Sequence, residues 1–476
     1  MATMMLEIPE TLKPMLGPLR DLVSEVEAQV GRGRALGREV RYESFEARLV
    51  ERLAAVERGG HEATLSALDV DAPQILVNGE LHVRVVRDQT TYMSQAGEVP
   101  VMHSLYRRAG DRNDPTVDPI ALRAGAVEDV WLPGAARDMA HLLAQGTSRE
   151  AQQTARELGR LPYSRSSFER VGHAVGETYV PQHQRIEQLL IDAYEVPCDV
   201  CSISAALDRV SLAMEEPRPR PPGRPREGAP KKPIERVYRM AYCGTVTLHD
   251  AEGNAIHTFR YGTMPDGDVA SLCEGMASDV LAILKKRRGL PIMLLSDGAP
   301  EMYHLLDEAF DAETFAGAEI HRLIDFWHAI EKLSAAAHII AGKSEAPTLA
   351  KRWRLLLLNR STARQRILDE LTASGKEHVR AGDERPVHDA ITYLTNNESR
   401  MDYAAARRLK LPIGSGNVEA TCKSLVNLRL NRSGARWKID TGEHIIQLRA
   451  LALSNRWDAA MALALASPKP RIRRAA

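Results

Sequence analysis

The chain has 476 residues, 44% of them hydrophobic and 26% charged. That suits a protein of about three ordinary domains and excludes a disordered chain, a collagen-like fibre and a disulfide-stapled miniprotein. Lys plus Arg and Asp plus Glu both number 63, but residues 351–476 hold 24 basic and 12 acidic side chains, so a positive last quarter is balanced by a negative remainder and nucleic acid is the first candidate partner.

The N-terminus carries Glu7 and Glu10 ahead of any apolar core, unlike a signal peptide. No apolar run approaches the ~18 residues of a membrane span, so no membrane partner is predicted. Residues 1–80 predict helix, with apolar positions at 3–4 spacing through Leu19, Leu22, Val26 and Val30, then Leu49, Leu53 and Val56. Between Glu80 and Arg108 the pattern becomes β-branched. Val83, Val85 and Val86, then Val99, Val101 and Met102, bracket a turn at Gln95-Ala96-Gly97, a small β insert. Helical signal returns near Ala121.

Thr147 with Glu150 forms a capping box ahead of a helix that Gly159 ends. Ser166 with Glu169 forms a second box ahead of Phe168, Val171 and Val175. Two short helices about a glycine turn have helix-turn-helix spacing, and Arg165 and Arg170 would then face phosphates and base edges. A plain helical hairpin has the same pattern. Five cysteines give no disulfide framework and imply a reducing compartment. Cys198 and Cys201 form a CxxC without the second ligand pair that structural zinc needs.

Residues 202–214 read as a strand. Residues 217–233 hold seven prolines and six Lys or Arg, an extended basic loop. Its Gly223-Arg224-Pro225-Arg226 resembles the core of an AT-hook, which lays arginines in a narrow minor groove; a solvated linker has the same composition. Strands follow at Val237–His249 and Ala255–Met264 around the turn 250–254. A helix runs from about Asp268 to Lys286, and Pro291–Asp297 is a short, continuously apolar buried strand. Glu319–Ile324 is a fifth strand candidate. Residues 329–408 are almost wholly helical and include the basic cluster Lys351, Arg352, Arg354 and Arg360. Gly414-Ser415-Gly416 opens a helix containing Glu419, and a last amphipathic helix runs from about Gly442 to Leu463.

Three carboxylates stand out in this layout. Asp208 lies inside a strand among apolar neighbours, where an unpaired charge is costly and calls for a partner or a cation. Asp297 ends the most apolar strand, and ligand sites of α/β sheets lie beyond strand carboxyl ends. Glu419 sits in the first turn of its helix, where helix-dipole compensation is the ordinary role of an acid. Together, three hard oxygen ligands suit Mg²⁺ or Mn²⁺, and two such ions are the standard device for in-line phosphodiester chemistry. Asp250 competes with Asp208 as the first acid, although its turn position favours Asp in any case.

The order of three strands, helix, strand, helix, strand, with Asp, Asp and a late helical Glu, resembles the RNase H-like fold of DDE transposases. The stretch Leu411-Pro-Ile-Gly-Ser-Gly-Asn-Val-Glu-Ala-Thr-Cys-Lys423, followed by Arg429, Arg432, Ser433-Gly-Ala-Arg436-Trp437, resembles bacterial insertion-sequence transposases of the ISKra type. Leu294-Leu-Ser-Asp-Gly298 and Ile324-Asp-Phe-Trp-His328 are similar to the same group. Asp325 and His328 fit the (C/D)xxH motif of the wider Mutator-like superfamily.

The resemblance implies a mixed α/β and α+β fold, an RNase H-like mixed sheet flanked by helices and interrupted by an all-α insertion, behind a mostly helical DNA-binding N-terminal region. The expected layout is 1–135 helical with a small β insert, 136–180 helix-turn-helix-like, 195–328 the first part of the core, 329–410 the insertion, 411–466 the second part of the core, and 467–476 a basic tail. Asp208, Asp297 and Glu419 would be catalytic and hold two Mg²⁺ or Mn²⁺ ions, with Asp325 and His328 supporting the site. Lys423, Arg429, Arg432, Arg436 and Lys438 continue as a basic track toward DNA backbone, joined by Arg165, Arg170, Arg224 and Arg226. The implied partners are double-stranded DNA, as element terminal inverted repeats and target, and further copies of the chain on that DNA. The implied location is the bacterial cytoplasm at the nucleoid. A non-catalytic, sequence-specific DNA-binding protein derived from a transposase is the alternative.

Overall fold

The computed structural model describes residues 7–35, 41–215, 237–466 and 470–475. Arg224, Arg226 and the rest of the basic Pro-rich loop lie outside the described residues. The chain forms two compact units, Met1–Gln182 with Met461–Ala476, and His183–Ala460.

The first unit opens with an antiparallel helix pair, α1 (Lys13–Arg34) and α2 (Tyr42–Ser66). The pair is close because Gly59 has no side chain: a Cβ there would lie 2.8 Å from the Pro14 carbonyl oxygen. The helical reading of residues 1–80 ran too far. Gln74–Val77 is a strand, β1, and Asn78-Gly79, both at positive φ (51° and 94°), turns it into β2 (Glu80–Ser94). Asn-Gly is a strong hairpin signal that the helical period of the preceding residues masked. β3 (Gly97–Arg108) pairs with β2 through the predicted turn, Ser94 opposite Gly97. The antiparallel sheet has the order β3-β2-β1 followed by Ile472–Arg474, so part of the expected basic tail is an edge strand.

Four helices complete this unit: α3 (Pro119–Ala124), α4 (Pro133–Gln145), α5 (Ser148–Glu157) and α6 (Arg165–Tyr179). The Thr147–Glu150 capping box is present with both of its bonds. The second box is not. The turn through Gly159 (φ 64°) and Leu161 (φ 50°) delivers extended backbone at Ser164. Ser164 therefore caps α6, its Oγ accepting from the Ser167 N–H at 3.2 Å. Ser166 lies inside the first turn, and Glu169 instead accepts from the Ser148 hydroxyl at 2.6 Å. α6 packs tightly on α4, where a Cβ on Gly172 would lie 2.4 Å from Leu143 Cδ2.

The second unit begins with α7 (His183–Ala193) and is built on a five-stranded mixed sheet. Its strands are β4 (Ser202–Met214), β5 (Val237–His249), β6 (Ala255–Thr263), β7 (Ile292–Ser296) and β8 (Ile320–Ile324). Their spatial order is β6-β5-β4-β7-β8. The first three are antiparallel; β7 and β8 run parallel to β4. β7 is buried at all five positions, as a strand covered on both faces should be. One face carries α8 (Val269–Lys286) and α9 (Pro300–Ala309), whose apolar residues share a core with Ile203, Val246 and Ile292.

The helical stretch after β8 comprises α10 (Phe326–Asn359), α11 (Ala363–Ala373), α12 (Pro386–Asn396) and α13 (Tyr403–Arg408). Gly342, at φ 75° and ψ 172°, breaks α10 into two segments, a break the apolar periodicity did not reveal. α14 (Gly416–Thr421) then leads into a π-helical turn, Cys422–Asn427. α15 (Ile439–Leu453) ends at Ser454-Asn455, with Asn455 at φ 55°, so the expected single helix to Leu463 is two. Leu425 and Ile446 approach Gly262 from the sheet face opposite α8, where a Cβ would lie 2.6 and 2.8 Å from them. No helix among the described residues is long and apolar enough to cross a membrane.

Candidate active site

Strand register brings the first two acids together. β4 pairs with β7 up to Ala206 opposite Leu295. Asp208 lies two residues further along β4 and Asp297 lies one residue past the end of β7, and the charge of Asp297 acts on the Asp208 carboxyl. Asp250 sits at the other end of β4, beyond His249, which pairs with Ser202. Its carboxylate is spent on its own turn, accepting from the backbone N–H groups of Glu252 and Asn254 at 2.9 and 2.8 Å.

Asp208 is half-buried and accepts from the Arg209 N–H at 2.7 Å. The Cys422 thiol donates to its Oδ2 at 3.5 Å. Burial pushes its carboxyl above the ordinary aspartate range; the Arg209 N–H and Cys422 oppose that, the charge of Asp297 adds to it, and His328 opposes it. The Arg209 guanidinium turns away to Glu301. Among the described residues, neither Asp208 nor Asp297 makes an ion pair with Lys or Arg.

Asp297 is held by its own loop. Its Oδ1 accepts from the Ala299 N–H at 2.8 Å, and its carbonyl accepts from the Tyr393 hydroxyl of α12 at 2.9 Å. Gly298 has φ 90°, and a Cβ there would lie 3.0 Å from the Tyr393 ring and hydroxyl. Both the backbone sign and the space demand glycine. Gly298→Val is therefore expected to cost on the order of 2–4 kcal/mol through left-handed strain and a clash. Chemical denaturation of the variant measures this; a loss below about 0.5 kcal/mol would contradict the geometry.

The late acid arrives through a buried clamp. Asp325 is fully buried at the start of α10. It accepts from the His328 N–H at 2.9 Å and from both the N–H and the hydroxyl (2.9 Å) of Ser415. That fixes the Gly-Ser-Gly turn preceding α14, and with it Glu419. His328 Nε2 lies 3.6 Å from Glu419 Oε1. Ligand atoms of Asp325, His328 and Glu419 all fall within 4.8 Å of one another. The charge of His328 also opposes the rise of the Asp208 carboxyl.

The predicted DNA-contact residues divide by exposure. Lys423, one turn beyond Glu419, and Lys438 are exposed, and Arg432 and Arg436 are half-buried. Arg432 Nε donates to the Leu428 carbonyl at 2.9 Å. Arg429 departs from the surface track: it is buried, its guanidinium 5.1 Å from the centre of the Trp437 ring. In the first unit, Arg165 Nε donates to Ser148 Oγ at 2.9 Å, and Arg170 Nε pairs with Glu128 at 2.9 Å.

Four neighbours of the site had little or no signal in the sequence. Cys422 and Cys243 flank Asp208, Cys243 directly opposite it on β5. Tyr393 is a lone tyrosine in a helical pattern. Trp327 is half exposed and packs under Arg354, whose guanidinium lies 4.8 Å from the ring centre. The Ser-Asp-Gly and Asp-Phe-Trp-His motifs carried no signal of the contacts that hold their loops.

The raised carboxyl of Asp208 has a consequence for stability. In the unfolded chain an aspartate titrates near ~3.9, so the metal-free native state binds this proton more tightly. The associated stability is complete below the unfolded value and is lost as pH rises through the raised native value. Asp208→Asn should therefore melt a few degrees higher than the wild type at neutral pH without metal, the difference vanishing toward pH 3. Thermal melts across that range check it; equal melting at neutral pH would contradict it.

No family model matches the sequence, and no curated protein matches it. Among solved structures, the chain is similar to the Drosophila P element transposase strand transfer complex over 67% of this chain and 78% of that one, at 12% identity and a TM-score of 0.25.

Proposed function

We propose that this chain is a DNA-cutting and DNA-joining enzyme of the DDE transposase type, acting on the terminal inverted repeats of a mobile element. The observation that carries the reading is that Asp297, just past the end of β7, is close enough to Asp208 on the neighbouring strand β4 for its charge to raise the Asp208 carboxyl, while the Asp325–Ser415 clamp holds the turn that leads to Glu419. The strand order β6-β5-β4-β7-β8, with helices on both faces, supports an RNase H-like core. The helices between β8 and α14 correspond to its insertion.

The donor set suits Mg²⁺ or Mn²⁺. Two hard carboxylates lie close together, half-buried or nearly so, with no basic partner among the described residues, and a third acid stands near them. Bound by Asp208, Asp297 and Glu419, two such ions would supply activation of the attacking hydroxyl and stabilisation of the leaving oxygen. The protein's part is to hold three negative charges at one point. Asp325 fixes the turn that carries Glu419, and His328 sits against its carboxylate. Lys423, Arg432, Arg436 and Lys438 offer positive charge to the DNA backbone, with Arg165 and Arg170 as a second patch on the first unit.

The test is incubation of the purified chain with duplexes carrying the ends of the element that encodes it, in Mg²⁺ or Mn²⁺, scored for nicking and end joining. Specific nicking at the ends followed by joining is expected. Binding without cleavage in either metal would identify a non-catalytic DNA-binding protein, and no binding at low salt would remove the reading altogether.

A further inference from the structure

Cys422 links two of the three acids. It lies about one helical turn after Glu419 and opens the π-helical turn that follows α14. Its side chain is buried against the sheet, the residue 5% exposed. A cysteine thiol is protonated at neutral pH, and this one donates to Asp208 Oδ2 at 3.5 Å, while the Arg209 N–H donates to Oδ1 at 2.7 Å. Each carboxylate oxygen of Asp208 therefore has a donor of its own. That fixes the plane of the group and leaves lone pairs on both oxygens for a cation. Cys243, fully buried on β5 directly opposite Asp208, shares a hydrogen bond with Cys422 and so steadies the thiol. Asn417, at the start of α14, donates from Nδ2 to Thr247 Oγ1 of β5 at 3.3 Å and docks the helix on the same sheet.

The chemistry of sulfur suits that place. A lysine or arginine there would neutralise Asp208 and compete with the cation that the site calls for. A buried thiol behaves as a small apolar group with a weak donor, so it orients a carboxylate without drawing off its charge. It is also a poor ligand for a hard ion such as Mg²⁺ or Mn²⁺, which leaves the metal to the oxygens. We propose that Cys422 is a positioning residue of the metal site: its thiol sets the plane of the Asp208 carboxylate and ties it to the helix that carries Glu419. Partners that orient a ligand in this way are worth about 10–100-fold in metal affinity. The inference rests on the reading of Asp208 and Glu419 as ligands of one site.

Calorimetric titration of the full chain with Mn²⁺, in the absence of DNA, tests it. Cys422→Ala and Cys422→Ser remove nearly the same volume, and only serine keeps a hydroxyl to donate. Cys422→Ala should bind Mn²⁺ about tenfold more weakly than the wild type, and Cys422→Ser within about threefold of it. Metal-free thermal melts of the two variants should coincide, so that the difference in affinity belongs to the donor. Equal Mn²⁺ affinities in the two variants, or wild-type affinity in Cys422→Ala, would overturn the proposal and leave the metal reading standing. A wild type that does not bind Mn²⁺ would overturn that reading and the inference together.

Discussion

Under the proposed function, Asp297→Asn is expected to abolish DNA cleavage in Mg²⁺ while leaving DNA binding within about twofold of wild type. The substitution keeps the size of the side chain and the oxygen that accepts from the Ala299 N–H, so the loop after β7 retains its shape. What it removes is a negative charge beside Asp208, at the point where the proposed ions are held. Loss of a carboxylate that holds a metal ion removes the stabilisation that ion gives the transition state, on the order of 10²–10³ or more in rate. Binding should survive, because under the proposed function affinity for duplex DNA comes from phosphate contacts made elsewhere. Gel shifts and a nicking assay on the same preparation separate the two effects. Cleavage by Asp297→Asn at the wild-type rate would remove this carboxylate from the chemistry.

Asp325→Ala is the most damaging change expected in the fold around the site. The carboxylate is completely buried and accepts three hydrogen bonds, from the His328 N–H, the Ser415 N–H and the Ser415 hydroxyl. Truncation strands those donors away from water, at about 1–3 kcal/mol for each group left unsatisfied. A total loss of roughly 3 kcal/mol or more is expected, measured by chemical denaturation. The Gly-Ser-Gly turn loses its anchor, so Glu419 loses its place, and cleavage should fall at least a hundredfold even where the protein remains folded. Asp325→Asn, which keeps one acceptor, should recover part of the stability and little of the activity. Near wild-type stability in Asp325→Ala would show that the clamp does not hold the turn.

The sheet was legible in the sequence because its strands are long or fully buried. β7 read as a continuous apolar run, β4 and β5 as longer strands, and the turn at 250–254 marked the β5–β6 hairpin. The acids followed from position: one among apolar neighbours, one ending the most apolar strand, one just after a glycine turn. Contacts between distant segments were not legible. No local pattern says that Tyr393 reaches the Asp297 carbonyl, or that Asp325 holds Ser415 across 90 residues. Arg429 shows the limit of counting charge, since a guanidinium over an indole can be interior as easily as exposed. Gly342 and Asn455 broke helices whose apolar spacing ran on past them, and Asn78-Gly79 turned a strand that followed a helical stretch. Local φ preferences overrode periodicity in each case.

The proposed function requires Asp208, Asp297 and Glu419 to share divalent metal. Crystals of the protein soaked in Mn²⁺, with anomalous diffraction collected at the manganese edge, can locate it. Anomalous density is expected between the carboxylates of Asp208 and Asp297, with Glu419 completing the ligands and metal–oxygen distances of roughly 2.0–2.3 Å. Density confined to Asp325, His328 and Glu419, with Asp208 and Asp297 unliganded, would contradict it.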